Sequence, residues 1–407
     1  MTILTTSVLD LAVGTRYSQK YLRAASARRL YDQFAGNLMS APQYDIESRR
    51  GLGTTYTFNF ASDMTPGTTA ISQTADITPQ TLVDAQSTIT PTSLGEALKW
   101  SELLDLQAYT DIISFRAEKV GENAMESIDN KAMAAALQGS LKATSTARAS
   151  LDAGTAADNW TEAAMWKAAS MMQGLKVPAF VDGAGNKSHM AVAHPDAYYD
   201  LFHGGNVQSA LIYGGLPGQI LLTGEVGSIA GFKLIISPFA KVFGGAGADN
   251  GTGSSQTYVL SGAATALDTT LSVTTGTNVV NGRLLTVGIE ETANTFYDTN
   301  ERVRWVSGTT TATIVGSGAN GGIRFSHPAT TTYVLNADSV YPVAYGGPMS
   351  LVKVFAGDVG EFGQLVGPMT DGIANQWQSL AWKWYGGYGR VAENQIIRGE
   401  YSSSLDS

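Results

Sequence analysis

The chain has 407 residues, a net charge of −9 and a charged fraction of 15%, low against the roughly 25% of an ordinary soluble domain. That length admits two or three domains with cores of their own, and 43% apolar residues argue against wholesale disorder. The acidic balance excludes a dedicated nucleic-acid binder. The absence of Cys excludes disulfides and thiolate metal sites, and no apolar run reaches the roughly 18 residues of a membrane-spanning helix. The opening MTILTTSVLDLAVG has no basic stretch before its apolar residues, so it is not read as a signal peptide; the chain is expected to be soluble and made in a cytoplasm. A surface this poor in charge is only weakly repelled by its neighbours, which suits a protein surrounded by other protein.

Residues 1–50 run against the overall balance. Arg16, Lys20, Arg23, Arg28, Arg29, Arg49 and Arg50 stand against Asp10, Asp32, Asp45 and Glu47, a net of +3. Tyr17, Tyr21, Leu30, Phe34 and Leu38 recur among them at helical spacing, so 15–40 reads as an amphipathic arm. Its basic face is either a solvated helix face or a contact with an anionic surface.

TTYTFNF then alternates Tyr56, Phe58 and Phe60 with Thr55, Thr57 and Asn59, a strand pattern. A polar stretch with two prolines leads to a second extended run, TLVDAQSTITPTSLGEALKW. Two such strands make a long hairpin that cannot bury itself and needs a neighbour to lie on. Residues 102–138 are expected to form one long helix, with Ile112, Phe115, Val120, Ala124, Ile128 and Met133 as its apolar face, stopped by Gly139 and Ser140. Asp111, Glu118, Glu122, Glu126 and Asp129 alternate with Arg116, Lys119 and Lys131, which reads as a salt-bridged solvent face. NWTEAAMWKAASMMQGL follows as a helix capped by Asp158 or Asn159. Then come a strand at HMAVAH, a helix from Pro195 to Phe202, and a turn and buried strand within Ile229–Phe239.

From about Gly244 the composition changes. GGAGADNGTGSSQ reads as a junction, and Tyr258 to Val343 is almost entirely short alternating strands between Gly, Asn and Ser. Residues 246–345 are therefore expected to be an inserted all-β domain, carrying four basic and seven acidic residues. At GGPMSLVKVFAGDVG the chain resumes its earlier style, and it closes with AWKWYGGYGRVAENQIIRGEYSSS. There Trp382 and Trp384 share one strand face, Gly386 and Gly387 allow a bend or close approach, and VAENQIIRGE returns as a second strand with Val391 inward.

Catalytic and cofactor chemistry is not legible. His189 and His194 sit at opposite ends and faces of one strand, away from His203 and His327 in sequence. No G-x-S-x-G elbow and no G-x-x-x-x-G-K-[ST] loop occurs. Asp298 and Glu301 lack the spacing of a calcium loop. The chain is read as a non-enzyme with no metal and no cofactor.

The order of parts carries a resemblance. RRGLGTTYTFNF, ENAMESIDNKAMAAAL, SIAGFKLIISPFA and WQSLAWKWYGGYGRVAENQIIRGEYSSS resemble the major capsid proteins of tailed bacteriophages, the Hong-Kong-97-type shell fold, and among them the N-four-type coat family. NERVRWVSGTTTATIVGSGANGGIRFSHPATTTYV resembles a small β-barrel module of phage structural proteins, with Glu301, Val303, Trp305, Gly321, Gly322 and His327 in its recurring places. Trp305 stands where a small aliphatic residue is usual there.

The resemblance implies an α+β fold: an N-terminal arm (1–50), an extended loop (51–98), a peripheral domain (99–179) with its spine helix at 102–138, an axial domain (180–245), the inserted β domain (246–345), and a return to axial and peripheral domains (346–407). Within that return, 346–375 would join 180–240 in the axial domain. It implies subunits that assemble as hexamers and pentamers into an icosahedral virion shell around double-stranded DNA. The implied partners are further copies of the chain, a separate scaffolding protein, a portal and a decoration protein, with no membrane. Tyr56, Phe58, Phe60, Trp382 and Trp384 would lie at subunit contacts, and Arg16, Lys20, Arg23, Arg28 and Arg29 would face DNA weakly and without sequence preference. The Lys–Asn weld of some relatives would be missing, because no Lys lies between Gly51 and Leu98. The alternative is a β-rich adhesion or carbohydrate-binding protein, which would need exposed aromatics such as Trp305 in the β module.

Overall fold

A computed structural model describes residues 19–26, 29–37, 55–61, 64–67, 79–107, 112–144, 148, 151, 156–181, 185, 187–203, 228–243, 257–274, 282, 284–289, 297–308, 311–329, 333–336, 339–348, 350–355, 363–371, 376–390 and 392–406. The chain divides into two compact units. One comprises Met1–Ala27, Ala35–Ile128 and Leu351–Ala392; the other comprises Arg28–Phe34, Asp129–Ser350 and Glu393–Ser407. The units part within the long helix, between Ile128 and Asp129.

The first unit is organised by the strand Trp377–Arg390. It pairs antiparallel with Leu351–Phe355, Gln364–Asp371 and Thr92–Ser101, and Ala35–Asn37 extends the sheet by a parallel pairing with Leu351–Phe355. Alternation along the strand turns Leu380, Trp382 and Trp384 to one side. There they pack with Tyr21, Ala25 and Trp100 and with a stripe of Ala117, Val120, Ala124, Met125 and Ile128 on the helix Ile112–Leu137. Trp382 Nε1 donates to Asn123 Oδ1 at 2.9 Å. The helical residues 19–26 approach closely at Gly121, where a Cβ would stand 2.5 Å from Tyr21 O. The helical span expected as one piece contains a short helix, Glu102–Gln107, and then Ile112–Leu137. Phe115, expected on the apolar face, is exposed, because it lies two positions before Ala117 and so off the buried stripe.

The second unit holds a body sheet in the order Ile396–Tyr401, Tyr341–Gly346, Lys187–Ala193, Phe232–Ile236, Ser228–Ile229, with Phe180–Val181 also paired to Lys187–Ala193. The strands Tyr341–Gly346 and Ile396–Tyr401 are buried throughout. The helices Glu162–Gly174 and Pro195–His203 contribute Met165, Ala168, Met172, Ala197 and Leu201 to the core around them. Trp160 Nε1 donates to Tyr345 Oη at 2.7 Å inside that core. The first helix is capped by Thr161, not by Asp158 or Asn159. Asn159 is engaged elsewhere, accepting from Ser402 Oγ at 2.8 Å.

Two expectations about the end of the chain change. The strands Trp377–Arg390 and Ile396–Tyr401 do not pair with each other; they belong to different sheets, and Val391 lies outside the described residues. Leu351–Phe355 and Gln364–Asp371 join Trp377–Arg390 rather than the strands of 180–240. Gly386 and Gly387 do not bend the strand. A Cβ at Gly386 would stand 2.4 Å from the Trp384 ring and 2.6 Å from Val354 O, so the site demands the smallest residue for close approach.

Within the second unit, residues 257–336 build a sheet of their own, in the order Thr270–Ser272, Thr311–Gly316, Glu301–Ser307, Leu284–Ile289, Tyr333–Asn336, Thr257–Val259. Leu260 and Val273, which follow its two outer strands, bridge antiparallel, and Ser261 N–H donates to Ser272 O at 2.9 Å. The sheet therefore closes into a small barrel filled by Leu271, Leu285, Val287, Val303, Trp305 and Ile314. It belongs to the second compact unit and does not form a third.

Candidate assembly surfaces

Among the described residues the strand Thr92–Ser101 is paired with Trp377–Arg390 alone, and it exposes most of its residues. A long, exposed strand at the edge of a sheet is a surface on which another chain can pair. Directly after it, Glu102 N–H donates to Gln376 O at 2.9 Å, which holds the helix Glu102–Gln107 at the Trp377 end of the sheet. That helix turns Leu103 and Leu106 to solvent at 61% and 77% exposure. Trp377, Met369 and Leu98 are exposed in the same unit, and Lys99 Nζ lies 5.5 Å from the Trp377 ring centroid. Exposed leucines on one short helix mark a contact surface more strongly than apolar residues scattered singly.

The second surface is the two-stranded hairpin of Tyr56–Ala61 and Asp84–Ile89. Its base is tied to its own unit: Ser87 Oγ donates to Arg390 O at 3.3 Å, and Ile89 is buried where a Cβ at Gly389 would stand only 2.4 Å away. Farther out, Thr65 and Gln80 bond reciprocally at 2.9 Å, while Met64, Leu82 and Val83 are exposed. Among the described residues these two strands share no sheet with others, and a two-stranded hairpin buries too little to be stable alone.

The predicted contact residues divide. Tyr56 is half-buried on this hairpin opposite Ile89, and Phe58 and Phe60 follow it in register with Ser87 and Ala85; the side chains of Phe58 and Phe60 lie outside the described residues. Trp382 and Trp384 are 2% and 0% exposed in the single chain, so their rings belong to the core of their own unit and are not offered to a neighbour. The exposed aromatics of that strand are Trp377 and Tyr385.

The basic arm divides too. Arg16 and Arg28 lie outside the described residues. Lys20 Nζ is engaged with Ser114 Oγ, and Arg29 pairs with the buried Asp32. Arg23 is exposed. Lys20 and Arg29 thus serve the fold of their own chain.

Asp129 was missed as a structural residue. It is buried rather than on the solvent face, and its Oδ1 accepts from Leu30 N–H at 3.1 Å and Asp32 N–H at 3.0 Å. Burial pushes its carboxyl up to about 7, against the pull of the backbone N–H groups and with the push of Asp32. Lys119 and Glu122 do form the expected surface pair, at 2.9 Å. A second buried carboxylate, Glu400, gathers Lys142 at 2.8 Å, Arg398 at 3.1 Å and Arg148. Burial works to raise its pKa, and the three cations together outweigh it, so the carboxyl stays below its ordinary value. Arg398 also bonds Leu137 O, a carbonyl in the last turn of the long helix that has no partner within the helix.

In the barrel, the Glu301…His327 pattern has a physical cause. The Glu301 carboxylate is buried and accepts from Arg324 N–H at 2.6 Å and Phe325 N–H at 2.9 Å, with His327 Nε2 2.9 Å from Oε1. These bonds hold the glycine-rich loop across the barrel, where a Cβ at Gly322 would stand 2.2 Å from Leu267 O. Donors surround Glu301, so a cation would have to displace them; in the fold the carboxylate acts as a latch. Trp305 is 0% exposed, which removes it as a carbohydrate platform. Among the described residues no group of three His, Asp or Glu side chains is placed to hold a metal ion, and no helix is long and apolar enough to cross a membrane.

No protein-family model and no curated protein matches the sequence. Solved structures do. The capsid of Ralstonia phage GP4 superposes with a TM-score of 0.50 at 10% identity, over 86% of this chain and 84% of that one. A structure from Mycobacterium phage Che8 does so at 0.50 and 9% identity, over 91% of both chains. The chain has a phage-capsid fold. The α+β fold likeness extends along 86% and 91% of this chain in the two superpositions.

Proposed function

We propose that the chain is a major capsid protein that assembles, as hexamers and pentamers, into the icosahedral shell enclosing the double-stranded DNA of a tailed phage. The observation that carries this reading is the fold likeness to the capsid of Ralstonia phage GP4 along 86% of the chain. The open strand Thr92–Ser101, the exposed leucines after it and the hairpin support it, because each is a hazard on a solitary molecule and a contact in a lattice. The work is structural, without a catalytic step. Within this reading the N-four-type coat family is the subgroup proposed, residues 51–98 are the extended loop laid over an adjacent subunit, and the barrel is an insertion that projects outward to meet neighbouring barrels or a decoration protein. Scaffolding and portal proteins are separate chains, DNA is touched weakly by the arm, and assembly takes place in the bacterial cytoplasm.

The test is electron microscopy of the expressed protein, alone and with neighbouring gene products. Shells, tubes or capsomer rings are expected; monodisperse monomers under every condition would refute the reading. The contacts are non-covalent, since residues 51–98 carry no Lys. The intact mass of denatured shells should be that of the single chain, and a ladder of covalent oligomers would contradict it.

A further inference from the structure

The barrel is joined to the body by more than its two chain crossings. At the crossings Phe243 and Val340 pair antiparallel, with Phe243 N–H donating to Val340 O at 2.9 Å and Val340 N–H to Phe243 O at 3.3 Å. A single bridge of this kind fixes where the barrel is attached and leaves its angle to other contacts. Lys241 Nζ reaches from the body to Tyr297 O at 2.6 Å, and Thr286 Oγ1 lies 2.6 Å from Ser339 Oγ.

The strongest link is ionic. Arg302 sits on the barrel strand Glu301–Ser307, between the inward residues Glu301 and Val303, so it faces away from the barrel core. Its Nη1 donates to Asp196 Oδ2 at 2.8 Å, and both side chains are largely withdrawn from solvent. Asp196 lies in the first turn of the body helix Pro195–His203, where a carboxylate is also favoured by the helix N-terminus. Beneath the pair is Tyr341, fully buried in the body sheet. Its ring centroid is 5.1 Å from the Arg302 guanidinium, and its hydroxyl donates to the same Oδ2 at 3.3 Å. His194 closes the far side, its Nδ1 accepting from Asp196 N–H at 3.2 Å. Burial, with help from Arg302 and against the pull of Asp196, pushes the His194 pKa down to about 4. The ring is therefore neutral at ordinary pH, and Arg302 is the cation that Asp196 answers.

We propose that Arg302 and Asp196, seated on Tyr341, form a clasp that holds the barrel in one orientation on the body sheet, so that the two move as one piece. A planar guanidinium is suited to this position, since it bonds a carboxylate in its plane and stacks on a ring through its face. With solvent largely excluded, loss of either partner strands the other's charge. The barrel then tilts more readily about the Phe243–Val340 bridge, restrained by the Lys241–Tyr297 and Thr286–Ser339 bonds. A partner meeting the barrel would meet it at a set angle, and load on the barrel would pass into the strand Tyr341–Gly346. None of this depends on the assembly reading.

Hydrogen exchange on the full-length chain tests it, comparing the wild type with Arg302→Ala, Asp196→Ala, the double variant and Arg302→Lys. Amides at 297–300 and 339–341 should exchange about ten-fold faster in each alanine variant. The double variant should show no further gain, because the two residues act as one unit. Arg302→Lys, which keeps the charge and loses the planar stack, should fall between them. Amides of Val287, Val303 and Ile314 inside the barrel should keep their wild-type rates. Unchanged rates at the junction, additive effects in the double variant, or acceleration spread evenly through the barrel core would each overturn the clasp.

Discussion

The sheet around Trp377–Arg390 and the barrel of residues 257–336 use the same means and end differently. Both bury tryptophan on the inward face of an alternating strand: Trp382 and Trp384 in one, Trp305 in the other. The barrel then closes on itself through the bridge between Leu260 and Val273. The sheet instead ends in the exposed strand Thr92–Ser101, a helix with its leucines in solvent and a hairpin outside every larger sheet. A closed barrel satisfies its own backbone groups, whereas an open sheet leaves some for a neighbour. Among the described residues one region closes on itself, and the other exposes a strand edge and apolar side chains.

Four experiments would break or sharpen this contrast. The largest effect is expected for Trp384→Ala, which leaves a cavity among Tyr21, Met125 and Leu380; the cost should be about 3–5 kcal/mol in denaturant titrations. A loss below about 1 kcal/mol would mean that the sheet's inner face is not a packed core. Next comes Glu301→Ala, which strips the acceptor from Arg324 N–H, Phe325 N–H and His327 together. It should destabilise the barrel by about 2–4 kcal/mol, read as loss of the near-ultraviolet signal of Trp305 while the body stays folded. Simultaneous loss of both would show that barrel and body are not separately stable.

The third experiment concerns pH. The Asp129 carboxyl is raised from 3.8 to about 7 in the folded chain, so the folded state holds a proton that the unfolded chain has released. Its contribution is complete below about pH 4 and is lost as pH rises through about 7. Stability should therefore carry a falling component across that window, on the order of a few kcal/mol at most. Asp129→Asn keeps an acceptor for Leu30 and Asp32 and should flatten that component; an unchanged profile would place the titration elsewhere. The smallest effect on stability is expected for Leu103→Ser with Leu106→Ser, within about 0.5 kcal/mol because both side chains are already in solvent. The same double variant should lose particles in micrographs. Normal shells would show that this helix is not part of the contact surface.

Elements carried by a strong local pattern were legible in advance. The alternation of Trp382 and Trp384, the first hairpin strand, the helix at Pro195–His203 and the strands of the barrel fall where polarity and turn residues place them. The second extended run instead divides, Asp84–Ile89 going to the hairpin and Thr92–Ser101 to the larger sheet. Side chains whose partners lie far along the chain were misread. Asp129 has the spacing of a surface carboxylate, yet its donors are 99 and 97 residues away. Asn159 has the chemistry of a helix cap and is taken by Ser402, 243 residues on. Among the candidate surfaces, the hairpin was readable because alternating residues flank a long polar stretch. The leucines of Glu102–Gln107 were absorbed into one long predicted helix, since no local signal separates a buried leucine from an exposed one.

By itself the sequence determined the class of each segment: which stretches alternate, which turn at helical spacing, where glycine and small polar residues interrupt, and that no thiol is present. Tertiary structure alone decided which strand lies beside which. The last two strands, adjacent in sequence, go to different sheets, and the barrel closes because Leu260 meets Val273. The physical reason is that polarity is a property of each residue, whereas pairing is a competition among distant segments that is settled only when the chain is compact.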